Sequence, residues 1–258
     1  MKTEREGARP DSGTRHLLIK QILTQRQFAT VDELARELNV SKVTIRNDLS
    51  YLEQRGSLSR THGGATVAEI APRFFLDTVA ENAKEKNAIG IAAADMIPEF
   101  STVIIDTGST TFRIAQHLIG KHVTVVTNSM PVFEALKGDD CIEILFLGGS
   151  FRKSYMGFTG PITKLAISQI HADYYFMGAG GFTETDIFCS NLVEAEIKRE
   201  MIKVSNKVCF VSDHFKKGKT SFGHICGWDE VDVFITDDID DDFQAKLVNK
   251  GLEVVETK

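Results

Sequence analysis

Short apolar stripes separated by polar turns dominate the first quarter of the chain. Leu17, Leu18, Ile22 and Leu23 predict a helix from about Thr14 to Gln25 with those four side chains inward. Thr30 followed by Glu33 makes the reciprocal pairing of a capping box, and Leu34, Ala35 and Leu38 supply the stripe of a short helix that Asn39 stops. Ser41 caps again. On a 3.6-residue wheel Ile45, Leu49 and Leu52 share the inward side of this next helix. The opposite side carries Val43, Asn47, Ser50 and Gln54, flanked by Lys42, Thr44, Arg46 and Tyr51, a row of hydrogen-bonding groups without acidic neighbours.

Beyond a segment at 67–82 that reads as a linker interrupted by Pro72, the pattern changes period. A helix over Lys84 to Ile97 opens an alternation of strand and helix. Strands are expected at Thr102 to Ile105, Val123 to Val126, Ile142 to Leu147, Tyr174 to Met177, Val208 to Val211, Val231 to Ile235 and Leu252 to Val255. Between them lie helical patterns at Thr110 to Leu118, Val132 to Leu136, Thr163 to Gln169, Val193 to Lys203 and Asp241 to Asn249. Strands this apolar, without polar alternation, belong to a parallel sheet covered by helices on both faces. The expected fold class is therefore α/β: a small N-terminal domain at 14–66 and a larger doubly wound domain at 83–258.

Two capped short helices followed by a basic, glycine-ended tail fit a winged helix-turn-helix. An exposed helix start offers free N–H groups and positive potential to a phosphate, while Lys42, Arg46 and Asn47 can reach base edges in a major groove. Ser41, Val43, Thr44 and Ser50 complete the candidate DNA-binding face, and Arg60 and His62 are placed on the wing. The competing reading is a three-helix interaction module with a solvated basic face. The formal net charge of −6 for 258 residues hides an asymmetry: residues 1–66 hold 11 Lys and Arg against 8 Asp and Glu, and the rest 19 against 28. A basic head on an acidic body suits duplex DNA as partner.

No apolar run approaches the roughly 18 residues of a membrane span, and the polar start has no hydrophobic centre of a signal peptide, so a cytoplasmic protein is expected. Cys141, Cys189, Cys209 and Cys226 form no CxxC pair, and buried free thiols are expected rather than metal ligands.

In a doubly wound sheet, ligands bind outside the carboxyl ends of the strands. After the first body strand comes Asp106-Thr107-Gly108-Ser109-Thr110-Thr111, a set of hydroxyls and N–H groups at a helix mouth able to cradle an anion. A capped helix start with surface hydroxyls is the plainer alternative. The segment lacks the GK[ST] ending of a nucleotide loop, and Gly178-Ala179-Gly180-Gly181 misses the GxGxxG spacing, so no nucleotide cofactor is expected. Asn128, Arg152 and Gly178 stand in the loops after the next strands, and Asp213, Lys216 and Lys219 follow the Val208 strand. Glu194 and Lys198, four apart on a helix, either form a simple ion pair or hold the lysine toward the cleft.

The run VSKVTIRNDLSYLEQRGSLSRTHGGA resembles the DNA-binding signature of DeoR-family bacterial transcriptional regulators, with Asn47 where the family usually has a second arginine. Asp48 matches the family's acidic position and is expected to hold Arg46 or a backbone group. The motifs DTGSTT, TN, GGSFR, GAGG, EAEIKREM and DHFKKGK extend the resemblance to roughly Arg15 through Asp237. It implies a sensor domain related to ribose-5-phosphate isomerase that binds a phosphorylated sugar through Asp106, Thr107, Gly108, Ser109, Thr110, Thr111 and Lys198, with Arg152 and Lys219 as further contacts. It also implies a repressor of sugar metabolism that self-associates. The isomerases carry a strand-end motif like D-G-A-D-E; Met177 to Gly181 here has no carboxylate, so turnover of the sugar is not expected.

Overall fold

The computed structural model describes residues 10–26, 28–54, 58–61, 63–67 and 75–257, and the chain divides into two compact units, Met1–Phe74 and Phe75–Lys258. The first contains α1 (Ser12–Arg26), β1 (Phe28–Thr30), α2 (Val31–Glu37), α3 (Lys42–Gln54), β2 (Leu58–Thr61) and β3 (Gly64–Val67). The capping box closes as its sequence requires. Thr30 Oγ1 accepts from the Glu33 N–H at 3.2 Å, and Glu33 Oε2 accepts from the Thr30 N–H at 2.7 Å. Ile45, Leu49 and Leu52 are buried against Leu34, Ala35 and Leu38. In α1 the stripe is Ile19, Ile22 and Leu23, the i, i+3, i+4 set, with Leu18 partly buried against it; Leu17, expected inward, is 63% exposed.

The wing gains a strand from the residues before α2. The sheet runs β1-β3-β2, with both pairings antiparallel. Gly64 is what permits the added pairing: a Cβ there would lie 2.4 Å from the Ala29 carbonyl oxygen. A three-residue strand with one buried side chain offers no period for a sequence reading to detect.

The second unit begins with α4 (Phe75–Ala80), a helix within the segment expected to be linker, and continues with α5 (Ala83–Asp95), β4 (Thr102–Ile105), α6 (Ser109–His117), β5 (Val123–Thr127), α7 (Met130–Leu136) and β6 (Ile142–Phe146). A hairpin of β7 (Ser150–Arg152) and β8 (Gly157–Thr159) precedes α8 (Pro161–Ile167) and β9 (Ala172–Met177). Then come β10 (Gly181–Phe182), β11 (Asp186–Cys189), α9 (Leu192–Lys203), β12 (Ser205–Val211), β13 (Gly223–Gly227), β14 (Val233–Thr236), α10 (Asp241–Asn249) and β15 (Glu253–Glu256).

Seven of these strands form one sheet in the order β15-β14-β12-β9-β4-β5-β6, parallel throughout. Both faces are apolar. Ile104, Tyr175, Phe210 and Phe234 join a cluster on one side that includes Trp228, while Val103, Ile105, Phe176 and Val211 join the other. Burial on both sides explains why the strands read as continuous apolar runs. Strand order reverses between β4 and β9, so the carboxyl ends of these two strands flank a crevice.

The β7–β8 hairpin and the antiparallel trio β10-β11-β13 lie outside the sequence expectation, because two- to five-residue strands rich in glycine carry no alternation. Cys141 precedes β6 and is half-buried, whereas Cys189, Cys209 and Cys226 are buried and free. Burial pushes those three thiols up to about 12, which keeps them protonated.

Candidate functional site

The outer face of α3 displays Lys42, Val43, Arg46 and Asn47 to solvent, with Thr44 and Ser50 half-buried. Val43 is 62% exposed, an apolar side chain on a polar face, which suits contact with a thymine methyl. Ser41 Oγ caps the helix by accepting from the Thr44 N–H at 3.1 Å and also meets Thr44 Oγ1 at 2.8 Å. Lys42 reaches Asp32 of α2 at 2.8 Å, an exposed pair that DNA phosphate could replace. Arg60 is exposed on β2, and its Nη1 donates to Ser50 Oγ at 2.8 Å while its backbone N–H donates to Glu53. His62 lies outside the described residues.

Asp48 corrects an expectation. It is buried in the helix-turn-helix core and binds not Arg46 but Arg15 of α1, through Nε at 2.5 Å and Nη2 at 3.0 Å, with His16 Nε2 at 2.9 Å. The His16 ring in turn stacks on Tyr51, with centroids 4.8 Å apart. One carboxylate thus ties the first helix to the recognition helix. Burial alone would raise the Asp48 carboxyl, but Arg15 and His16 outweigh it and hold it below the usual range. A carboxyl depressed in the folded state contributes stability that is complete above its unfolded value, roughly 3.9, and is lost as pH falls through the folded one. Hydrogen exchange of the α3 amides, corrected for intrinsic rates, should lose protection between about pH 5 and 3 in the native protein. Asp48→Asn should show weaker protection at neutral pH and a flatter pH dependence.

In the second unit, Asp106 ends β4 inside the crevice. Its Oδ2 accepts from Lys198 Nζ at 2.5 Å and from the Tyr175 hydroxyl at 2.9 Å, and the Gly178 N–H at the end of β9 reaches both carboxylate oxygens at 3.2 and 3.3 Å. Glu194 stands 3.6 Å from the same ammonium. The Lys198 side chain is 2% exposed, so the closer partner is the strand-end aspartate and not the helix neighbour that sequence spacing pairs with it. Burial pushes Asp106 and Glu194 up, and the ammonium offsets part of that. Burial also works against the Lys198 charge, but the two carboxylates outweigh it and keep the lysine protonated.

Gly108, Thr111 and Gly178 lie close to this pair. Gly108 precedes α6 and gives it no side-chain cap, so the first N–H groups of the helix are not taken up by a capping side chain. Thr107, Ser109 and Thr110 are buried there. Thr111 is turned inward, its hydroxyl donating to the Asp106 and Gly108 carbonyls. Asn128 Nδ2 donates to the Phe158 carbonyl at 2.8 Å, while Asn128 Oδ1, Thr110 Oγ1 and Asp213 Oδ2 are buried without hydrogen-bond partners. Asp213 Oδ1 accepts from Asn82. Lys216 Nζ donates to the Ala179 carbonyl at 2.9 Å, and burial pushes it down, with Asp213 opposing and Lys198 and Lys219 adding to the shift. Arg152 and Lys219 are exposed, Arg152 on β7 and Lys219 in the loop after β12.

Sequence reasoning missed two members. Tyr175 looks like any core aromatic of a strand, and Asn82 lies in the segment read as linker.

Residues 15–71 match the profile of the DeoR-like helix-turn-helix domain, and residues 81–238 that of the DeoR C terminal sensor domain. The chain belongs to the DeoR family of transcriptional regulators. It is 36% identical to the HTH-type transcriptional regulator GolR of Listeria innocua, over 92% of this chain and 95% of the other. It is 32% identical to the HTH-type transcriptional repressor GlcR of Bacillus subtilis, over 95% and 96%. The L-fucose operon activator of Haemophilus influenzae is 30% identical over 85% and 90%. Among solved structures, ribose 5-phosphate isomerase A from Neisseria gonorrhoeae is similar at 19% identity and a TM-score of 0.39, over 51% of this chain and 52% of the other. This DeoR-family member is thus a DNA-binding regulator rather than an enzyme, with a helix-turn-helix unit and a sensor unit. No helix among the described residues is long and apolar enough to cross a membrane.

Proposed function

We propose that this regulator represses a sugar-metabolism operon and that a phosphorylated sugar, held in the crevice between β4 and β9, controls its grip on operator DNA. The observation that carries the reading is the uncapped start of α6 beside three buried polar atoms without hydrogen-bond partners, on Thr110, Asn128 and Asp213, the last with only Lys216 Nζ at 3.9 Å. Buried polar groups in a folded protein are normally paired, so this set fits hydroxyls that arrive with a ligand. The helix start together with Arg152 and Lys219 supplies attraction for the phosphate. Lys198 has its charge balanced by Asp106 and Glu194, which leaves it as a hydrogen-bond donor of fixed position. Asp106 acts as its anchor.

Repression is supported by the name of the Bacillus relative, and a sugar operon by that of the Haemophilus relative. Operator half-sites mirror protein symmetry, so the regulator is read as a homo-oligomer. A thermal-shift screen of pentose and hexose phosphates tests the reading. A ligand at about 100 times its Kd stabilises the folded state by about 2.7 kcal/mol. At least one compound should raise the melting temperature, its unphosphorylated sugar should not, and aldose and ketose phosphates should not interconvert. A flat screen across the panel overturns the reading.

A further inference from the structure

Tyr155 lies between the two strands of the β7–β8 hairpin, and its buried hydroxyl has no well-formed hydrogen bond, with the Asn191 and Thr159 side chains as its nearest polar neighbours. It closes on the same space as the α6 loop. A Cβ placed on Gly157 would lie 2.2 Å from Thr107 Cγ2 and 3.3 Å from Tyr155 Cδ2, so only glycine lets the two side chains approach from either side. Burial and the nearby Glu194 carboxylate push the phenol up, so it is a neutral hydrogen-bond donor.

The residues on either side of Tyr155 point elsewhere. The Ser154 carbonyl accepts from the Phe75 N–H at 3.0 Å. Met156, held in the left-handed region at φ 54°, lines an apolar cavity of about 600 Å³ with Phe75, Phe112 and Pro131. A non-glycine residue in that conformation is strained and persists only where its surroundings hold it. Phe75 itself is buried and meets Phe112 of α6 edge-on, centroids 5.7 Å apart. It is also the first residue of the second unit, so the chain ahead of it leads to the helix-turn-helix.

We infer that Tyr155 donates to the bound effector, and that Ser154 and Met156 pass its displacement to Phe75, coupling occupancy of the crevice to the segment that leads to the DNA-binding unit. The inference rests on the crevice being the effector site. Ser154 holds the Phe75 backbone and Met156 lines the same cavity as the Phe75 ring, so a short path runs from the Tyr155 segment to the start of the second unit.

The test uses the full-length protein, a duplex from its own promoter region, and whichever of ribose 5-phosphate, fructose 6-phosphate, fructose 1-phosphate, glucose 6-phosphate and glycerol 3-phosphate gives the largest thermal shift. Two quantities are measured for each variant: the sugar-phosphate Kd, and the factor by which saturating sugar phosphate changes the operator Kd. That factor is typically about 5- to 150-fold in allosteric proteins. Tyr155→Phe should weaken sugar-phosphate binding and shrink the factor. Phe75→Ala should leave binding of the sugar phosphate to the DNA-free protein within about threefold while bringing the factor close to one. Met156→Gly, which suits the positive φ and so preserves the fold, should do the same. Native coupling in both Phe75→Ala and Met156→Gly overturns the relay and leaves the site reading standing. If no compound in the panel binds, the site reading falls and the relay with it.

Discussion

Replacing Lys198 with methionine is expected to lower the unfolding free energy of the sensor unit by about 3–5 kcal/mol, because it strands a buried carboxylate. Lys198 and Asp106 are 2% and 1% exposed, so the carboxylate left behind is shielded from bulk solvent. Tyr175 and the Gly178 N–H would still donate to Asp106, but neither neutralises it. The carboxyl must then bind a proton to stay inside. Burial already raises Asp106 with the lysine present, and without it the folded-state value rises further above the unfolded one. A carboxyl raised on folding makes the folded state bind the extra proton, so stability is greatest below the unfolded value and falls as pH rises. The variant should therefore be more impaired at about pH 8 than at about pH 5. Urea denaturation at the two values measures this. A second change, Asp106→Leu, should recover much of the loss, since an apolar pair can replace a buried ion pair. Equal losses at both pH values would show that the ammonium is not the counter-charge of Asp106.

Arg46→Ala should cost about 1–3 kcal/mol of operator affinity, the value of one bidentate base contact. Arg46 is exposed on the outer face of α3, no ion pair within the described residues engages it, and Asp48 behind it is committed to Arg15. Its loss should therefore relax preference at a single base pair and leave the melting temperature and sugar-phosphate affinity unchanged. Arg60→Ala differs in kind. A wing contact to phosphate should weaken all sequences alike and flatten the dependence of log K on log salt by close to one unit. Titrations of operator and scrambled duplexes at several salt concentrations separate the two variants. Uniform weakening by Arg46→Ala would place that arginine on the backbone.

The helix-turn-helix was legible because its signals are local. Thr30 and Glu33 cap within four residues, and Ile45, Leu49 and Leu52 mark one side of a regular helix. The parallel sheet was legible for a related reason, since strands covered on both faces must be apolar at every position. What escaped depends on distance along the chain. Asp106 and Lys198 are 92 residues apart, and the i,i+4 rule assigns the lysine to Glu194 because nothing local points to so distant a strand. Arg15 and Asp48 are missed in the same way, 33 residues apart. Leu17 shows the opposite failure, a hydrophobic residue read inward because apolar type was taken for direction while the helical phase belonged to Ile19. The strand-end loops were recognised by composition, but which of their atoms are free could come only from coordinates. Thr111 is consumed by backbone carbonyls, and its neighbour Thr110 is not.

The hydrogen bond from Arg60 to Ser50 joins the wing to the recognition helix through two side chains of the proposed DNA-binding face. Neither can be altered without releasing the other, so their contributions will not add in a double-mutant cycle. Natural exchange of Ser50 is therefore expected to loosen the wing's hold on phosphate as well, so that a change on the recognition helix alters general affinity along with base preference.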